Sequence, residues 1–136
     1  MIKVILVDDN ELVREGIKFL LEQSGGFEVV GEAQNGKDAL DLINTRDSDV
    51  IITDYNMPVM DGLALIRTLM RQGISIPIII MSGLDDKIYV NTLFKEGVSG
   101  LLHKNITSEE LIFAVGHVVS GKRYLHSDIA LEMALK

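Results

Sequence analysis

The 136 residues, 47% of them hydrophobic, have the size and apolar content of one domain, and with no tryptophan and few aromatics its core must be aliphatic. A formal net charge of -7 argues against this segment wrapping nucleic acid or lying on an anionic membrane. The absence of cysteine excludes disulfides, thiolate chemistry and zinc–thiolate sites, and no apolar run reaches the length of a signal core or membrane span, so a cytoplasmic location is expected.

Short apolar runs alternate with segments of helical period. The runs at 4–7, 27–33, 50–53, 76–82 and 100–104 read as strands. Most are near-continuous Val, Ile and Leu, the pattern of strands buried on both faces of a parallel sheet. Val13, Ile17, Leu20 and Leu21 share one face of a first helix, and Ala39, Leu40 and Ile43 one face of a second. A third is marked by Leu65, Ile66, Leu69 and Met70, a fourth by Val90, Leu93 and Phe94, a fifth by Leu111, Val115, Val118 and Val119. Gly25-Gly26, Gly73 and Gly97 stand where helices should stop, and Asp86 and Thr107 where two should be capped. The spacing predicts an α/β, (βα)5 doubly wound parallel sheet of flavodoxin-like order 2-1-3-4-5. After Val119, residues 120–124 read as a loop and 127–136 as a helix-prone tail, the start of a linker.

In such a sheet ligands bind beyond the carboxyl ends of the strands. Strand one ends in Asp8-Asp9, strand three in Asp54, strand four in Ser82-Gly83 and strand five in Lys104. Chain order alone therefore brings three carboxylates, a hydroxyl and an ammonium to one rim. Three close acids repel one another, and a hard divalent cation offsets that repulsion. Magnesium suits carboxylate, water and phosphate oxygens, whereas calcium lacks an EF-hand loop here. With Lys104 and Ser82 opposite, the cradle fits a phosphoryl group with Asp54 as its acceptor.

Blander readings compete. Asp8 and Asp9 could cap the first helix, but one acid suffices for that and Asn10 could serve without them. Asp61, ahead of Gly62, reads as a cap or turn residue. His103, His117 and His126 lack metal-ligand spacing, so surface or packing roles are expected. The segment GEAQNGKD (31–38) nearly matches a phosphate-binding loop, but Asp38 replaces the required hydroxyl, leaving a turn and a helix start. Asp8-Asp9-Asn10-Glu11 is the reverse of a flavin-phosphate loop, and its adjacent acids do not match the D-x-D of haloacid dehalogenase phosphatases.

These residues resemble the receiver domains of bacterial two-component response regulators. The likeness rests on VILVDDN at the first strand, DYNMPVMDG from Asp54, MSG at the fourth strand and LLHK at the fifth, and it spans about residues 2–120. It implies that Asp54 takes a phosphoryl group from the histidine of a sensor kinase. It also implies that Asp9 and Asp54 ligate Mg2+ directly with the backbone carbonyl of Asn56, while Asp8 acts largely through water. Lys104 then pairs with the phosphoryl oxygens, the Ser82 hydroxyl moves toward them on activation, and the Gly83 amide contacts the group. Asn56 and Leu84 would tune hydrolysis.

Two positions depart from the family pattern. Leu101 stands where an aromatic is usual, leaving the aromatic switch described for the family absent or its output altered. Asn105 follows the lysine in place of a frequent proline. KNIT, the fifth helix and GKRYL-x-S-x-IA look most like the LuxR/NarL-type subfamily, which implies a DNA-binding helix-turn-helix domain after a receiver at 1–121 and a linker at 122–136. The function so implied is a phosphorylation-activated switch for transcription regulation, with a homodimer on activation and no enzymatic turnover beyond its own phosphorylation and dephosphorylation. Two rivals stand beside it: a docking module that never takes phosphate, and a magnesium-dependent phosphohydrolase, which would need a general acid the sequence does not offer.

Overall fold

A computed structural model describes residues 1–83 and 88–135. Its strands are β1 (Ile2–Val7), β2 (Phe27–Ala33), β3 (Val50–Asp54), β4 (Ile78–Ser82), β5 (Gly100–His103) and β6 (Tyr124–Leu125). Its helices are α1 (Glu11–Gln23), α2 (Gly36–Thr45), α3 (Gly62–Arg71), α4 (Val90–Lys95), α5 (Ser108–Val119) and α6 (Ser127–Ala134). The strands form one parallel sheet in the order β2-β1-β3-β4-β5-β6, so the expected order 2-1-3-4-5 holds and a sixth strand extends it.

Successive strand residues point to opposite faces, and here both faces are covered. Val4, Leu6, Ile52 and Ile79 pack with Leu21 of α1 and with Leu111, Val115 and Val118 of α5. Ile5, Val7, Ile51 and Ile80 pack on the other side with α2, α3 and α4 through Ala39, Ile43, Leu65, Ile66, Leu69 and Leu93. Full burial of each such side chain contributes about 1.5–3 kcal/mol, so the aliphatic double layer is the main source of cohesion. Met70 departs from its predicted apolar face: it is exposed and lies over Gly97.

Punctuation follows the sequence closely. Gly25, Gly73 and Gly97 end α1, α3 and α4 with φ of 87°, 72° and 107°, the left-handed region where a side chain is strained. Thr107 caps α5 by accepting from Glu110 N–H. Asp86, the cap expected for α4, lies outside the described residues. β4 starts later than expected because Pro77 has no N–H to give the ladder; its carbonyl still accepts from Ile51 N–H at 2.9 Å. β5 ends at His103, leaving Lys104 just beyond it.

β6 and α6 dock on the sheet edge where a loop and tail were read. Tyr124 N–H donates to the Ser99 carbonyl and His126 N–H to the Leu101 carbonyl, both at 2.9 Å. Ile129 of α6 enters the same core cluster as Leu101 and is 2% exposed. Among the described residues no helix is long and apolar enough to cross a membrane.

Candidate functional site

The acid pair sits where β1 hands over to α1. Asn10 caps α1, its side-chain oxygen accepting from the N–H groups of Leu12 and Val13. Asp8 and Asp9 are therefore spared from capping. Asp8 is buried, with its N–H on the Ala33 carbonyl at 3.0 Å, and its Oδ1 accepts from Asn10 N–H at 2.8 Å. The Arg14 guanidinium donates to the Asp8 carbonyl at 2.5 Å and reaches Glu32 at 3.3 Å, tying the turn back to α1 and β2. Asp9 is exposed.

Asp54 is the last residue of β3 and is 3% exposed. The chain then turns through Asn56, whose N–H lies 3.5 Å from Asp54 Oδ1, at the outer limit of a hydrogen bond. Asp61 caps α3 by accepting from Ala64 N–H at 2.8 Å, the cap role read from the sequence. Gly62 brings α3 against the strand end: its N–H donates to the Tyr55 carbonyl at 3.0 Å, and a Cβ there would lie 2.7 Å from the Asp54 carbonyl oxygen. Only a residue without Cβ permits that approach.

β4 and β5 supply the opposite wall. Lys104 N–H donates to the Ser82 carbonyl at 3.0 Å, and its ammonium lies 2.8 Å from Asp54 Oδ2 and 3.8 Å from Asp8 Oδ2. Ser82 Oγ is buried without a hydrogen-bond partner among the described residues, which is costly unless a ligand completes the site. Gly83, His103, Lys104 and Asn105 line a pocket of about 260 Å3 beside it.

One oxygen each from Asp8, Asp9 and Asp54 can come within 4.8 Å of the others, so this acidic pocket is able to hold a metal ion. Burial, more than anything else, raises the Asp8 carboxyl above the usual carboxylate range. The Asn10 hydrogen bond opposes that rise, the Asp54 charge adds to it, and Lys104 lowers it. A hard cation with oxygen preference would remove the repulsion, so the donor set fits such an ion.

Every site residue expected from the sequence therefore reaches one rim, except Leu84, which lies outside the described residues. The Gly62 approach and the Arg14 tether were not read from the sequence; the D-G pair ahead of α3 was the one available signal for the former. The histidines do take packing roles: His117 stacks on Phe113, and His103 and His126 are buried edge to face. Asn35 caps α2 through Asp38 N–H, so the near match to a phosphate loop is the helix start it was read as.

Residues 4–116 match the family model of the response regulator receiver domain. The response regulator UvrY of Escherichia coli strain K12 is 40% identical over 135 residues, which cover 99% of this chain and 62% of UvrY. The chain thus spans less than two thirds of the length of that relative. The signal receiver domain of the putative response regulator NarL from Mycobacterium tuberculosis superposes with a TM-score of 0.83 at 34% identity, covering 89% of this chain and 98% of that one. A structure of two RcsB dimers bound to two parallel DNAs matches with a TM-score of 0.84 at 26% identity, covering 95% of this chain and 66% of that chain. With an acid pocket, a strand-end lysine and the sheet order all in place, this chain belongs to the response regulator receiver family, in the company of LuxR/NarL-type regulators.

Proposed function

We propose that the chain is a phosphorylation-activated switch in which Asp54 accepts a phosphoryl group from the phosphohistidine of a sensor kinase. A carboxylate oxygen of Asp54 attacks phosphorus, the P–N bond to histidine breaks, and an acyl phosphate forms. The observation that carries this reading is the buried Asp54 carboxylate with the Lys104 ammonium 2.8 Å away, beside a buried Ser82 hydroxyl that has no hydrogen-bond partner among the described residues. Lys104 pairs with the carboxylate and then balances charge on the transferred group. The Ser82 hydroxyl and the Gly83 N–H donate to its oxygens. Asp8, Asp9, Asp54 and the Asn56 carbonyl would hold Mg2+, which when bound neutralises charge between carboxylates and phosphate.

The added charge draws Ser82 and Lys104 inward and shifts the population of the surface formed by α4, β5 and α5. Residues 1–121 form the receiver, and 122–136 lead to an output domain. The greater length of UvrY supports a further domain, and the DNA-bound RcsB dimers support one that binds DNA, with dimerisation on activation. The chain assists only its own phosphorylation and dephosphorylation. The direct test is intact mass after incubation with acetyl phosphate and Mg2+, with Asp54→Asn alongside. One phosphoryl group should be gained by the wild type alone and only with Mg2+. No gain under conditions that slow hydrolysis would leave a docking module instead.

A further inference from the structure

β6 is only two residues long, paired with β5 through Gly100–Tyr124 and Leu101–Leu125. The ladder stops before His103, the residue ahead of Lys104, and the buried N–H of His103 would be orphaned there. It is not orphaned, because it donates to Nδ1 of His126 at 2.9 Å. His126 stands at the N-cap position of α6 yet makes no capping bond, its ring being turned to the strand instead. A side chain thus supplies the rung that the backbone of a longer strand would supply.

We propose that His126 is a positioning residue for Lys104: by accepting the His103 amide it holds the end of β5 in place and couples the lysine at the phosphoryl site to the docking of α6. The proposal rests on the phosphoacceptor reading above, and it extends that reading to the segment that leaves the domain. The chain of contacts is short. Lys104 bonds Asp54 through its ammonium and the Ser82 carbonyl through its N–H, so a loosened His103 shifts both.

The same bond makes the latch sensitive to protons. Accepting at Nδ1 requires the neutral ring with its proton on Nε2. That nitrogen faces Glu110 of α5 at 3.4 Å and Asp128 of α6 at 3.6 Å. The His103 ring of β5 packs edge-on at 5.5 Å, its own Nε2 3.5 Å from Glu132 of α6 and without a hydrogen bond among the described residues. From β6, Tyr124 donates its hydroxyl to Glu110 at 2.8 Å, and burial together with this bond pushes the phenol up to about 12, so it stays neutral. A second proton on His126 would set N–H against N–H. The ring would let go of His103 and remain paired with the carboxylates, so acid opens the latch.

Residue-resolved amide hydrogen exchange on the full chain tests this, with wild type, His126→Asn and His126→Leu compared at about pH 7.5 and about pH 6 after correction for intrinsic exchange. Asparagine offers an acceptor oxygen at the position of Nδ1 and does not titrate. At the higher pH the His103 amide should exchange roughly tenfold or more faster in His126→Leu, with the Lys104 amide following, and His126→Asn should restore protection. Lowering the pH should deprotect both amides in the wild type and not in His126→Asn. Phosphorylation by acetyl phosphate should slow several-fold in His126→Leu and recover in His126→Asn. Equal protection in wild type and His126→Leu, or the same pH response in wild type and His126→Asn, overturns the proposal. Should His126→Leu not fold, the pH comparison of the other two decides alone. A wild type that takes no phosphoryl group sinks the phosphoacceptor reading, while exchange still reports whether His126 holds the strand.

Discussion

Replacing Gly62 by alanine places a methyl group 2.7 Å from the Asp54 carbonyl oxygen, 3.3 Å from Tyr55 Cα and 3.4 Å from the Tyr55 carbonyl oxygen. All three neighbours are backbone atoms, so no side chain can swing aside. Ordinary contact begins at 3.4 Å, so α3 or the end of β3 must move by about 0.7 Å. Overpacking of a tight site of this kind costs about 1–3 kcal/mol. Gly16, on the exposed side of α1, has nothing within 4 Å of its Cβ position, and alanine there should stabilise by about 0.5–1 kcal/mol through helix propensity. Gly16 is thus the reference for a glycine-to-alanine change without a clash, and the difference in sign reports the close approach at Gly62. Urea unfolding of the three chains at matched m values measures it, and Mg2+ titration by calorimetry reports whether the displaced Asp54 weakens the acid pocket. A Gly62→Ala chain as stable as wild type, with unchanged Mg2+ affinity, would refute the idea that this close approach places the carboxylate.

Val59 is an exposed β-branched residue at φ 69°, in the turn between β3 and α3, where an L side chain is strained. Val59→Gly should therefore raise stability by up to about 1 kcal/mol despite the extra freedom of the unfolded chain, as read by thermal melts. Asp8 carries the opposite kind of strain. Its folded carboxyl is raised above the unfolded value, so its ionised form subtracts from stability, and that loss sets in as pH rises through and above the ordinary carboxylate range. Asp8→Asn should melt higher than wild type at neutral pH in EDTA, and should lose most of the rise in melting temperature that Mg2+ gives the wild type. Equal melting in EDTA would mean that the buried charge is already fully compensated.

What could be read from the chain, and what could not, divides along one physical line. Near-continuous runs such as 50–53, helical periods and terminal caps are local properties, and they were legible because the residues that cause them are close together in sequence. So were Asp8, Asp9, Asp54, Ser82 and Lys104 as a group, since strand ends converge in any parallel sheet of this winding. Asn10 as the cap of α1 was open until its bonds to Leu12 and Val13 showed that the acids were not needed there.

Other features exist only between distant segments. Tyr124–Leu125 has no periodicity of its own and becomes a strand because β5 offers a free edge. His126 looks like any polar loop residue until the ladder ends beneath it and leaves the His103 amide needing an acceptor. The need for glycine at position 62 arises from the carbonyl of Asp54 eight residues earlier, across a turn whose path no propensity dictates. By itself the sequence determined the elements, their order and the chemistry gathered at one rim, because burial and capping act over a few residues. The tertiary structure alone decided how closely those groups approach and what ties the outgoing segment to Lys104, because close packing and the demand that buried polar groups be paired act across the whole chain.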